Sequence, residues 1–120
     1  MFKVTLADRP EFLAGDETRL REIFHPAKHQ LNLNYSLAHG TLPSGQRSKR
    51  HVLASSEVYY FIAGRGRFTI DDHVTVIEAG TTIYVPPGGQ QFVENTGETD
   101  IEFFCLVDPA WRMEDEAILE

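Results

Sequence analysis

A single cysteine, Cys105, stands in a chain of 120 residues. No intrachain disulfide can form, which excludes the small secreted folds that depend on crosslinks and fits a reducing compartment. Basic residues are scarce: 11 Lys and Arg face 18 Asp and Glu, a net charge of −7. That balance argues against nucleic acid or an anionic membrane surface as the main partner. Long apolar runs are missing as well. No stretch approaches the roughly 18 residues of a membrane span, and Met1 to Pro10 lack the apolar run of a signal peptide. Internal repeats, linkers and low-complexity tracts are absent. What remains, 42% hydrophobic and 24% charged residues, is the composition of one globular domain with an ordinary core. The expectation is a soluble, cytoplasmic, single-domain protein spanning residues 1–120.

One segment reads as a helix, over about 17–24. Asp16 is a good N-cap residue, Leu20, Ile23 and Phe24 share a face at helical spacing, and Pro26 stops the run. From about Leu31 to Asp108 the pattern is that of short strands. Leu31, Leu33, Tyr35 and Leu37 alternate with Asn32, Asn34 and Ser36. Val58 to Ile62 is β-branched and aromatic, and Arg67–Ile70 and Val74–Ile77 flank the polar turn Asp71-Asp72-His73. Pro86-Pro87-Gly88-Gly89 requires a turn. Ile101, Phe103, Cys105 and Val107 form an apolar face, and Met113 to Leu119 reads as a short acidic terminal helix. Many short strands at close spacing indicate an all-β sandwich or barrel.

Two glycine-framed segments carry the rest. The first gives Gly45, five residues, His51-Val52-Leu53, three residues, Glu57, six residues, Gly64. The second gives Gly80, five residues, Pro86-Pro87-Gly88, two residues, Gln91, three residues, Asn95. Together they resemble the two motifs of the cupin superfamily, over about Leu31 to Val107. The resemblance implies a jelly-roll barrel of antiparallel strands over about 31–108, here with the short N-terminal helix. It also implies that ligands from both motifs converge inside the barrel on a divalent metal (Zn, Fe, Mn, Ni or Cu). Carried over position by position, the metal set is His51, Glu57 and Gln91, because Leu53 and Gln91 stand where the family has histidines. A glutamine carbonyl is a weaker ligand than imidazole and Leu53 coordinates nothing. The alternative is a buried, hydrogen-bonded His51 and Glu57 pair with no metal.

Alternation adds neighbours to this site. Tyr59 and Phe61 share the strand face of Glu57, and Phe103 and Cys105 point inward from the last strand. Tyr35 and Phe92 supply aromatic walls, and His39, on the apolar face of Tyr35 and Leu37, offers a second imidazole. Arg47 and Lys49 alternate with His51 at the mouth, with Arg50 facing away, a basic run suited to an anionic ligand. The functional expectation is a small-molecule-binding cupin. As a metal-dependent lyase or isomerase of a small polar or anionic substrate, it would use Glu57 or His51 for proton transfer. As a non-catalytic ligand-binding or sensor cupin, it would have a metal-free pocket. A homodimer is expected, with Phe104 and Leu106 as interface residues.

Overall fold

In the computed structural model, which describes all 120 residues, the period-2 pattern of the last long strand sorts its side chains between core and outer face. Ile101, Phe103, Cys105 and Val107 are buried, and Glu102, Phe104 and Leu106 are half-buried on the other side. The strands are β1 (Glu11–Leu13), β2 (Arg19–Phe24), β3 (Ser36–Leu42), β4 (His51–Leu53), β5 (Ser56–Ala63), β6 (Arg65–Ile70), β7 (His73–Glu78), β8 (Thr82–Val85), β9 (Gln91–Asn95), β10 (Ile101–Asp108) and β11 (Glu116–Ile118). They form a six-stranded sheet, β1-β2-β3-β10-β5-β8, and a five-stranded sheet, β11-β4-β9-β6-β7, with every pairing antiparallel. The inner faces enclose a core in which Tyr59, Phe61, Phe68 and Phe103 pack ring against ring, with centroids 4.9–6.1 Å apart. The sheets keep separate edges, so the all-β jelly roll is an open sandwich rather than the closed barrel expected.

Three local expectations are corrected. Residues 19–24 are a strand, not a helix, paired with β3 from Arg19↔Thr41 to Phe24↔Leu37. Asp16 caps no helix: its Oδ1 accepts from the Thr18 N–H at 3.1 Å and hydroxyl at 2.7 Å, closing the turn between β1 and β2. Arg21 reaches across to the Ala7 and Arg9 carbonyls, at 3.2 and 2.8 Å. A helix here would leave the edge of β3 unpaired, and that tertiary demand outweighs a helical propensity of a few tenths of a kcal/mol per residue. The only α-helical element is the single turn α1 (Pro26–His29). Met113–Leu119 is likewise no helix. A 3₁₀ turn at Met113–Asp115 leads into β11, which completes the edge of β4. Finally, Leu31 to Tyr35 lie outside the sheets, and β3 begins at Ser36.

Gly64 is the corner between β5 and β6, where the chain passes from one sheet to the other. Its φ is +85°, and a Cβ there would sit 2.5 Å from the Asp100 carbonyl oxygen. Gly80 has φ +95° but open space around it. The pair separates backbone strain from steric clash. Gly80→Ala is expected to cost the left-handed strain alone, roughly 1–2 kcal/mol. Gly64→Ala adds overpacking against rigid backbone, a further ~1–3 kcal/mol. Urea denaturation of both variants checks the order, and equal losses would contradict this account of the corner.

Candidate functional site: an acidic cavity between the sheets

Between the sheets, below the N-terminal hairpin, lies a cavity of about 250 Å³. Two strands bring motif residues to its polar end, and a third buries Gln91 behind them. His51 and Leu53 point inward from β4, Glu57 and Tyr59 from β5, and Gln91 from β9, where it is the register partner of His51. His51, Glu57 and Gln91 are 3%, 5% and 0% exposed. Burying so many polar groups requires that they satisfy one another.

Gln91 does most of this. Its Oε1 accepts from the Tyr59 hydroxyl at 2.7 Å, and its Nε2 donates to Glu57 Oε1 at 2.9 Å. The His51 Nδ1–H donates to the Lys49 carbonyl at 2.8 Å, since a carbonyl can only accept. That leaves Nε2 towards the cavity, with Asp16 Oδ2 at 3.7 Å, beyond hydrogen-bond distance. Burial pushes the Glu57 carboxyl up from 4.5 to about 7; the Gln91 hydrogen bond and His51 pull it down, and Asp16 pushes it up. Burial and then the Glu57 charge raise both the Tyr59 hydroxyl and the Cys105 thiol well above their usual ranges. Glu116 is raised too, first by burial, with His51 opposing and Asp16 reinforcing.

The metal implied by the family resemblance finds a poor donor set. Leu53 lines the cavity as a hydrocarbon. The one metal-binding atom of Gln91 is turned to the Tyr59 hydroxyl, and no three His, Cys, Asp or Glu side chains are grouped so as to hold an ion. The residues present do not fit a resident metal.

Among the other residues named from the sequence, Leu53, Tyr59, Phe103 and Cys105 line the cavity with His51 and Glu57. Phe61 is buried deeper in the core, away from the cavity wall. His39, Tyr35 and Phe92 do not line it. The inner residues of β3 are Ala38, Gly40 and Leu42, with Phe103 filling the space that a Gly40 side chain would take. His39 therefore faces outward, with Nε2 3.1 Å from Glu102 Oε1 and its ring 5.6 Å from that of Phe104. Tyr35 precedes β3 and is exposed. Phe92 alternates with the inward Gln91 and Val93, so it lies on the outer face under the Arg47 and Arg50 guanidinium groups, 4.3 and 4.7 Å from its ring centre. Arg47 also pairs with Glu120, and Lys49 with Glu17 at 3.3 Å. The basic run thus lines no part of the cavity.

Two cavity residues are invisible to local sequence pattern. Asp16 enters from the turn between β1 and β2. Glu116 enters from β11, whose register sets it opposite Leu53 and sets Ile118 opposite His51. Both acids fall in or beside segments whose local pattern is helical, and only the pairings of β2 with β3 and β11 with β4 bring them to the site. Phe12, Leu20 and Trp111 complete an apolar wall above them.

Comparison with known proteins agrees with this architecture. The Cupin domain family model matches residues 38–107, more than half of the chain. An uncharacterized protein of Methanocaldococcus jannaschii, MJ1618, is 33% identical over 110 residues, covering 91% of this chain and 87% of that one. Among solved structures, a predicted oxalate decarboxylase of Thermotoga maritima superposes with a TM-score of 0.78 at 23% identity, covering 90% of this chain and 99% of that one. A variant of the Streptomyces protein PAC13, solved with uridine, gives a TM-score of 0.78 at 21% identity, covering 100% of this chain and 91% of the other. With both glycine frames in place around His51, Glu57 and Gln91, the chain belongs to the cupin family.

Proposed function

We propose that this cupin binds a small organic molecule in the cavity between its sheets without a resident metal. His51, Glu57 and Asp16 form the polar end of the site, and Leu53, Phe103 and Trp111 are among its apolar walls. The observation that carries this reading is the Gln91 amide, whose oxygen and nitrogen are both engaged, by Tyr59 and Glu57. A volume of about 250 Å³ is below the roughly 300–1,000 Å³ of drug-sized sites, so the ligand is small. The names of the fold neighbours supply two chemistries, oxalate and uridine, and fold likeness does not choose between them.

Metal analysis of protein purified without a histidine tag, beside His51→Ala, tests the proposal. Substoichiometric metal, unchanged in the variant, is expected. Near-stoichiometric metal that disappears with His51 would overturn it in favour of the metal-dependent alternative.

A second reading, a lyase or isomerase working by proton transfer, draws on Glu57. A carboxyl held at about 7 is poised to give or take a proton at neutral pH. On this reading Glu57→Gln abolishes turnover of a substrate that it still binds. On the non-catalytic reading, no substrate is turned over by either protein.

A further inference from the structure

The ionisable acidic and basic side chains lining the cavity are Asp16, Glu22, Glu57, Glu116, Lys28 and His51. At the rim, Lys28 Nζ is 2.8 Å from Glu22 Oε1, so those two cancel. Deeper in, three carboxyl groups face one imidazole. Two of the hydroxyl donors nearby are consumed internally: that of Thr18 by Asp16 at 2.7 Å, and that of Tyr59 by Gln91 at 2.7 Å.

His51 itself points to a ligand. The residue is 3% exposed, its Nδ1–H is spent on the Lys49 carbonyl, and its Nε2 has no hydrogen-bond partner. In the neutral ring that nitrogen carries the lone pair, so it too is an acceptor. An imidazole nitrogen that opens on the cavity without a hydrogen bond, beside the carboxyl groups of Asp16 and Glu116, leaves acceptors complementary to a group rich in N–H donors. The aromatic wall of Phe12, Phe103 and Trp111 suits both an apolar body and a cation over a ring face.

We infer that the cavity selects a small organic cation, a primary ammonium on an apolar or aromatic body, and rejects dicarboxylates such as oxalate. The inference rests on the small-molecule reading above and names the substrate class for the same site. It departs from the anionic class suggested by Arg47 and Lys49, because those side chains are turned to Phe92, Glu120 and Glu17.

Three matched probes test it: phenethylamine, 2-phenylethanol and 3-phenylpropanoate, which share a phenyl body and differ mainly in the polar group. Ligand-observed NMR and calorimetry at pH 8 and about 0.1 M salt are expected to show phenethylamine binding at least tenfold more tightly than the carboxylate. Asp16→Asn/Glu116→Gln should cut that preference at least tenfold. Should the double variant fail to fold, Asp16→Asn alone serves, since its amide oxygen can still accept from Thr18; at least a threefold cut is then expected. A carboxylate or alcohol that binds as tightly as the amine overturns the charge inference and leaves the pocket reading standing. So does an amine preference that survives in the variants. Binding of none of the three overturns both.

Discussion

Replacing Glu57 by Gln is expected to stabilise the protein at pH 8 and to leave it unchanged at pH 4.5. The folded carboxyl titrates near 7, against 4.5 when unfolded, so the native state holds this proton more tightly than the unfolded chain does. Its contribution is fully present below pH 4.5 and is lost progressively as pH rises to about 7. Above that, an ionised Glu57 in an apolar setting costs about 3 kcal/mol relative to its neutral form, at 1.36 kcal/mol per unit. A glutamine at 57 keeps the shape and an oxygen to accept from the Gln91 amide, and it never ionises. Urea denaturation across pH 4.5–8 should therefore show a falling wild-type stability that the variant lacks. A gap of up to about 3 kcal/mol should open at pH 8, equivalent to roughly 10 °C in Tm for a domain of this size. Parallel pH profiles would mean that Glu57 is ionised throughout by a partner of opposite charge.

The second large effect lies across the hydrogen bond. Gln91→Leu removes the acceptor of the Tyr59 hydroxyl and the donor to Glu57 Oε1 while keeping the site filled with hydrocarbon. Each buried group left unsatisfied costs about 1–3 kcal/mol, more when it is charged. The expected loss at pH 8 is about 3–5 kcal/mol. The loss should shrink at pH 5, because a protonated Glu57 needs no donor to stabilise its charge. A loss that does not change with pH would show that Gln91 acts through packing alone.

Much of the site is legible in the spacing of the two motifs. Positions fixed by backbone geometry transfer directly: Gly64, Gly80 and Gly88 all have positive φ, at +85°, +95° and +83°. Because the corners fall where the glycines are, His51, Glu57 and Gln91 come to one place between the sheets. The hairpin of β6 and β7 and the inward face of β10 are equally legible, since both are local patterns.

What escapes depends on partners distant in sequence. Leu20, Ile23 and Phe24 have a spacing that suits a helix face, and only the open edge of β3 makes them a strand. The same pairing carries Asp16 to the cavity, and the open edge of β4 recruits Glu116. His39 is misplaced by alternation counted from Leu31, which assumes one continuous strand. The residues before Ser36 are irregular, so they fix no face for β3. The consequence for function is direct: local pattern supplies the imidazole and one carboxyl, and nonlocal pairing supplies the two acids that make the cavity negative.

In the proposed metal-free site Gln91, and not a metal, satisfies Glu57. The most direct measurement is a ¹³C NMR titration of the Glu57 side-chain carboxyl, with and without added Zn or Mn. A midpoint near pH 7 that the metal does not move is expected. A carboxyl that remains ionised below pH 4.5, or whose resonance shifts stoichiometrically as metal is added, would contradict it.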